Sequence, residues 1–129
     1  MESIIFIIGR VLLGGFFINS GINHFRGLSM MSGYAQMKGI PMPKASVAFT
    51  GVLLLVGGLS ILLGAYPTVG VAALAVFLIP TTVMMHAFWK VEDPMARMGE
   101  MVNFTKNTAL LGAALTLLAI PQPWTVSLF

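Results

Sequence analysis

Between Lys44 and Lys90 the chain has 45 consecutive residues without an aspartate, glutamate, lysine or arginine. As a helix rising about 1.5 Å per residue, this stretch would reach roughly 68 Å, about twice the ~30 Å hydrocarbon core of a bilayer. Gly64 and Pro67 interrupt it near its middle, and both residue types favour turns. The stretch therefore predicts two membrane-spanning helices joined by a tight connection.

The composition of the whole chain supports a membrane location. Only 9% of the 129 residues are charged and 57% are hydrophobic, whereas soluble domains carry roughly 25% charged residues. The chain has no cysteine, which excludes disulfide exchange and thiolate-bound metal. Its seven basic residues are scattered among apolar segments, a pattern that argues against a nucleic-acid partner. We predict an integral membrane protein whose surroundings are membrane lipid.

Four apolar segments have the length needed to cross a bilayer, at about residues 4–22, 45–66, 68–89 and 103–120. Each is predicted to be helical, because a chain in lipid must satisfy its own backbone hydrogen bonds. The prediction is an all-α fold, an integral membrane four-helix transmembrane bundle that covers residues 1–129 as one domain. The first segment lacks a basic start, so we expect it to be a mature helix rather than a signal peptide.

The predicted crossings divide the connections between two sides of the membrane. Both termini and the turn at Pro67 fall on one side, here called face A, and loops 26–44 and 90–102 fall on the other, face B. Every lysine and arginine except Arg10 lies on or next to face B. Because positive residues stay cytoplasmic, we predict cytoplasmic loops and extracytoplasmic termini in the cell inner membrane. Within the first loop, residues 29–37 are predicted to form a short amphipathic surface helix.

Arg10 is the only charged residue within the first apolar segment, about 9 Å inside its face-A end at 1.5 Å per residue. Helical spacing places Gly14, Phe17, Gly21 and His24 on the same side of this helix. A stripe with two glycines favours contact with protein over contact with lipid. Two interpretations are open: the guanidinium reaches the face-A surface, or it turns inward and binds a carbonyl, carboxylate or phosphate oxygen.

Polar side chains cluster near the face-B ends of the predicted helices. Polar groups inside a membrane are energetically costly, so their presence indicates a structural or functional role. They are Asn23 and His24 in the first helix, His86 in the third, and Lys106 and Asn107 in the fourth. Three interpretations are open: hydrogen bonds between helices, a site for an amphipathic ligand such as a quinone head group, or a metal site. The metal interpretation would combine the two histidines with an acid such as Glu92 or Asp93, and it lacks any ligand spacing. We predict no metal, haem or flavin.

Several motifs make the chain similar to the DoxX family of small four-helix membrane proteins. They are Arg10-Val-Leu-Leu-Gly14, Ser20-Gly-Ile-Asn-His-Phe25, Gly39-Ile-Pro41-Met-Pro43, Gly57-Gly58, His86-Ala-Phe-Trp89 and Asn103-Phe-x-Lys-Asn107. The likeness covers nearly the whole chain. The chain departs from the family pattern early in the second helix, where many members carry a glutamate and Thr50 or a neighbour stands here.

The resemblance implies a place in a quinone-linked redox assembly, because the family includes a subunit of thiosulfate:quinone oxidoreductase. The leading prediction is a DoxX-like inner-membrane protein that binds quinone or anchors a redox enzyme. Its candidate ligand-binding residues are Arg10, Asn23, His24, His86, Lys106 and Asn107. The alternative is a non-enzymatic membrane scaffold, or a carrier for a small lipid-like molecule. Whether the chain is catalytic, and whether it pairs with a redox enzyme or with a second copy, stays open.

Overall fold

A computed structural model describes residues 2–127 of the chain, and within this range it contains helices and no strands. The α-helices are α1 (Glu2–Arg26), α2 (Leu28–Met37), α3 (Pro43–Leu63), α4 (Pro67–Met85) and α5 (Pro94–Thr116). Short 3₁₀ turns, Phe88–Lys90 and Leu117–Ala119, follow α4 and α5. The all-α prediction and the short helix predicted at 29–37 are confirmed.

Three helices are long and apolar enough to cross a membrane, namely α1, α3 and the segment Pro67–Lys90 that contains α4. Within residues 2–127, α5 does not reach the same hydropathy, because Glu100, Asn103, Lys106 and Asn107 occupy its middle turns. The chain is therefore an all-α membrane bundle with three strongly apolar helices and one long helix of mixed character.

The fourth long helix begins at Pro94, earlier than the predicted 103–120, and it ends at Thr116. Asp93 is its N-cap, and the Asp93 carboxylate accepts a hydrogen bond from the amide of Ala96 at 2.9 Å. An aspartate at the N-cap followed by proline at the first helical position is a strong start signal. Most of the predicted loop 90–102 is consequently helical, and Glu100 lies on α5.

The other predicted spans, 4–22, 45–66 and 68–89, differ from α1, α3 and α4 only at their ends. Gly64 adopts a left-handed conformation with φ of +69° and ends α3, because glycine pays no Cβ penalty there. Pro67 is the first residue of α4, a position where its missing N–H costs nothing. The predicted tight connection is confirmed.

Close backbone contact joins α1 to α3. The buried residues of α1 are Arg10, Gly14, Phe17, Gly21 and His24, which confirms the stripe predicted from helical spacing. A Cβ atom on Gly14 would lie 2.8 Å from the carbonyl oxygen of Gly58, and a Cβ on Gly58 would lie 2.8 Å from the carbonyl oxygen of Gly14. Small residues thus let the two backbones touch, as in other membrane helix pairs.

The helices pack in the order α1, α3, α4, α5, with α2 lying against α3 and α1, while α1 and α5 make no extended contact. The core between them is apolar and consists of Phe17, Leu54, Ile61, Val71, Leu74, Phe77, Leu78 and Ala114. Phe6 packs edge-on against Trp124 with ring centroids 5.2 Å apart. The two described ends of the chain therefore lie at the same end of the bundle.

The contact between Gly14 and Gly58 predicts a position-specific response to a single methyl group. Gly58→Ala should lower the free energy of unfolding by about 1–3 kcal/mol, because the added Cβ meets backbone atoms that cannot rotate away. Gly15→Ala is the matched control, since a Cβ at Gly15 meets nothing within 4 Å. Thermal unfolding of purified protein in detergent measures both. Equal stability of the two variants would contradict the close approach.

Candidate functional site

A cavity of about 620 Å³ lies in the half of the bundle nearer face B, and all five α-helices contribute to its wall. Its volume falls within the range of small-molecule sites in proteins, about 300–1,000 Å³. Five of the six predicted site residues line it: Asn23, His24, His86, Lys106 and Asn107. Most of the other lining residues are apolar. The structure therefore brings together on one cavity residues that are more than 80 positions apart in sequence (Asn23 and Asn107).

His24 is buried in the last turns of α1 and is fixed by α3. Its Nδ1 donates a hydrogen bond to the carbonyl oxygen of Val47 at 3.0 Å. Because a carbonyl only accepts, this bond leaves Nε2 as the unprotonated nitrogen of a neutral ring. The hydroxyl oxygen of Thr50 lies 3.1 Å from the same Nδ1. Thr50 is thus a neighbour of His24.

His86 ends α4 and contacts a carboxylate on α5. Its Nδ1 lies 3.3 Å from Oε2 of Glu100, and Lys38 Nζ lies 3.4 Å from the same oxygen. The Tyr34 hydroxyl donates to the other oxygen, Oε1, at 3.2 Å. We call these four residues the face-B cluster. The sequence analysis did not identify Tyr34, Lys38 or Glu100 as site residues. The helix-start signal at Asp93 could have placed Glu100 on α5, the helix that follows His86 in the chain.

The carboxylate of the face-B cluster is held in its ionised form. Burial alone raises the pKa of Glu100, but the hydrogen bond and charge of His86 and the charge of Lys38 outweigh it, so the pKa lies below its usual value. Burial, followed by the charge of Glu100, raises the pKa of the Tyr34 phenol. Near neutral pH the cluster therefore holds one carboxylate that accepts from three donors.

Asn107 is the most unusual residue of the cavity wall. It is 6% exposed, yet its side-chain amide makes no hydrogen bond to any residue within 2–127. Among the described residues, the fully enclosed side-chain atom without a hydrogen-bond partner is Nε1 of Trp124, so the amide atoms of Asn107 are accessible. Lys106 precedes it on α5 and is exposed, with Nζ 6.0 Å from the centroid of the Phe16 ring on α1. Asn23 is exposed at the cavity edge. The Asn107 amide is thus available to a ligand in the cavity.

Pro80 is a further cavity residue that sequence reasoning missed. It lies inside α4 and lines the cavity together with Val76, four residues earlier. Proline has no N–H, so the Val76 carbonyl loses its helical hydrogen-bond donor. The position of Pro80 within the apolar segment 68–89 could have predicted this unpaired carbonyl from the sequence.

The residues weighed for a metal site do not form one in the described part of the chain. Across residues 2–127 no three histidine or acidic side chains lie close enough together to hold a metal ion. Glu92 and Asp93 are both exposed, and Asp93 caps α5. Glu100 lies beside His86, but within residues 2–127 the two histidines and an acidic side chain do not come together as a set of three ligands.

Arg10 lies apart from the cavity, near face A. It is 4% exposed, which supports the inward interpretation over the surface one. Its Nε donates to the carbonyl oxygen of Ile61 at 3.0 Å, and its Nη2 donates to the carbonyls of Leu62 and Val126 at 3.1 and 3.0 Å. Its Nη1 donates to the carbonyl oxygen of Thr125. The oxygens that it holds belong to the protein itself, so Arg10 ties the C-terminal segment to the end of α3.

The Arg10 contacts predict that lysine cannot replace arginine here. Arg10→Lys should lower the free energy of unfolding by about 1.5–3 kcal/mol, because a lysine cannot reach four carbonyls in two segments, and charge-assisted bonds are lost. In a Trp89→Phe background, the fluorescence of buried Trp124 should shift to longer wavelength as the segment loosens. Arg26→Lys, at the exposed end of α1, is the control. An unchanged Trp124 spectrum would contradict the tie.

The lowered pKa of Glu100 predicts a loss of stability in acid. A carboxyl whose pKa is lower in the folded state contributes stability that is complete above its unfolded value of about 4.3 and is lost as the pH falls through the folded pKa. The unfolding temperature in detergent should therefore fall more steeply below about pH 5 for the wild type than for Glu100→Gln. Glu92→Gln, at an exposed position, should follow the wild type. Parallel curves for all three proteins would contradict the assignment.

Comparison with known protein families identifies the family of this chain. The family model described as DoxX matches residues 5–87, well over half of the chain. The matched range contains α1 to α4 and ends just after His86, whereas Glu100, Lys106 and Asn107 on α5 lie beyond it. No curated protein and no solved structure is significantly similar to this chain. On the strength of the family match, the protein belongs to the DoxX family.

Proposed function

We propose that this DoxX-family protein binds a quinone in the cavity near face B and serves as a membrane subunit of a redox assembly. The observation that carries the proposal is the Asn107 amide, which belongs to a residue only 6% exposed, lines this cavity and makes no hydrogen bond within residues 2–127. A ligand oxygen or N–H would satisfy that amide. Two histidines on the same wall, His24 and His86, limit the ligand to one with polar atoms at its head.

The chemistry of the wall fits a quinone head group and its tail. Quinone carbonyl oxygens accept hydrogen bonds, and Asn107 and Lys106 present donors to them. Apolar side chains such as Phe16, Leu53 and Phe77 form most of the remaining wall, and they suit an isoprenoid chain. A few fixed polar groups in an otherwise apolar cavity are the usual arrangement of a small-molecule site.

The packing order of the helices gives a lipid-soluble ligand a route to the cavity. Both α1 and α5 contribute residues to its wall, yet they make no extended contact with each other. Across this gap Lys106 Nζ lies 6.0 Å from the centroid of the Phe16 ring. A ligand dissolved in the bilayer would pass between α1 and α5, which supports a membrane-borne molecule over a water-soluble one.

The absence of cysteine and the position of the basic residues bear on the proposed redox partner and on the side of the membrane where it would bind. Without cysteine it has no dithiol for accepting electrons, so the proposed electron donor is a partner redox protein that this subunit anchors. A bound quinone supplies the electron-transfer chemistry, and the residues of this chain bind and orient it. The basic residues near face B support a cytoplasmic position for that side, with the termini outside the inner membrane. The redox partner would then dock at face B, where the cavity lies.

Replacing the unpartnered amide tests the proposal. Asn107→Ala should weaken binding of a short-chain ubiquinone or menaquinone analogue by about tenfold, the equivalent of one hydrogen bond at about 1.4 kcal/mol. Asn103→Ala is the matched control, because Asn103 lies one turn earlier on α5 and does not line the cavity. Titration of purified protein in detergent gives the dissociation constants.

The same titration decides between the two functions that the sequence left open. Absence of saturable quinone binding to the wild type would remove the redox function. Equal affinity for an isoprenoid alcohol of the same chain length, which lacks the two carbonyls, would instead favour a carrier for lipid-like molecules. A preference for the quinone that disappears in Asn107→Ala supports the proposed site.

A further inference from the structure

We propose that Glu100 is a positioning residue for proton transfer in the cavity: it holds Nδ1 of His86, so that Nε2 exchanges a proton with an oxygen of the bound quinone. The inference rests on the proposed function and adds a role to it. It starts from the face-B cluster, in which a carboxylate absent from the matched family range contacts a histidine of the cavity wall.

The geometry fixes which nitrogen of His86 is free. Glu100 Oε2 is 3.3 Å from Nδ1, and an ionised carboxylate only accepts, so Nδ1 carries a proton. No other hydrogen bond to the His86 ring is present within residues 2–127. Nε2 is therefore the nitrogen left for a ligand. A carboxylate on one imidazole nitrogen both orients the ring and stabilises its protonated form.

Two side chains at the C-terminal end of α2 hold the Glu100 carboxylate in place beside His86. Lys38 Nζ and the Tyr34 hydroxyl, both from α2, contact its two oxygens at 3.4 and 3.2 Å. The charged groups that act on His86 are Glu100 and Lys106 from α5 and Lys38 from α2. Burial of the ring and the charges of Lys38 and Lys106 oppose protonation of His86, and the hydrogen bond and charge of Glu100 favour it. Glu100 is thus the acidic side chain that favours the protonated His86 ring.

Proton transfer from His86 accompanies the two-electron reduction of the bound quinone. Reduction of a quinone to a quinol takes two electrons from a partner redox protein and two protons, one for each oxygen. His86 delivers one of these protons from Nε2 and becomes the neutral ring with its proton on Nδ1, still donating to Glu100; the second proton comes from water at face B. The ring recovers its Nε2 proton from water at face B, where the side chain is 17% exposed. Quinol oxidation runs the same transfer in reverse.

The pH profile of quinone affinity tests the positioning role. In the wild type, affinity for an oxidised short-chain ubiquinone should fall as the pH rises and His86 loses its Nε2 proton. In Glu100→Gln the fall should occur at a pH about one unit lower, because the opposite charge that favours the protonated ring is gone. Glu100→Asp should restore part of the shift. Glu92→Gln, on the exposed loop before α5, should match the wild type.

A second measurement requires no substitution in the cluster. The chain has only two histidines, so ¹⁵N spectra of the rings are assigned with a single His24→Asn variant. Saturating quinone should move the Nε2 signal of His86 while its Nδ1 signal stays that of a protonated nitrogen. An unmoved Nε2 signal under saturating quinone would overturn the proposal.

The outcomes separate this role from the proposed function. Saturable quinone binding with the same pH profile in the wild type and Glu100→Gln would remove the positioning role and leave the quinone site intact. No saturable binding to the wild type would remove both. A loss of affinity in Glu100→Gln that is equal at every pH would also count against the proposal, since a purely structural role predicts that result.

Discussion

The backbone contact between α1 and α3 is the constraint on which the rest of this membrane protein depends. Gly14 and Gly58 allow the two helices to touch, and in lipid such close packing replaces the hydrophobic drive that assembles soluble helices. The same contact lets carbonyl groups of α3 satisfy the polar side chains of α1 at both ends. Near face A, Arg10 donates to Ile61 and Leu62, and near face B, His24 donates to Val47. One helix pair thereby carries two polar groups that lipid alone would penalise.

The two ends of the bundle use their polar groups differently. Near face A every described contact of Arg10 is with the protein, and its carbonyl partners come from α3 and from the C-terminal segment. That end is closed by internal hydrogen bonds. Near face B the polar groups are in part unpaired or exposed, with Asn107 lacking any protein partner within residues 2–127. The internal hydrogen bonds of Arg10 at one end, and the available donors at the other, are the reason for assigning the proposed ligand site to face B.

The helix that gives the site its remaining chemistry is the least membrane-like of the four long helices. α5 contributes Lys106 and Asn107 to the cavity and Glu100 to the face-B cluster, and it lies outside the range matched by the family model. The polar residues that lower its hydropathy are the residues that point to function. The α1 to α4 portion provides the frame and both histidines, and α5 supplies the groups to which the proposed ligand binding and proton transfer are assigned.

Sequence by itself determined the all-α membrane fold, the turn at Gly64 and Pro67, and the buried stripe from Arg10 to His24, because charge gaps, turn residues and helical periodicity act locally. The convergence of His24, His86 and Asn107 on one cavity also followed from counting crossings. Only the tertiary structure decided that Arg10 binds backbone carbonyls of the chain and that Glu100 accepts from His86, Lys38 and Tyr34. Those partners lie 14 to 66 positions from Glu100 in sequence, and side-chain pairing across helices depends on rotation and depth that no local pattern encodes.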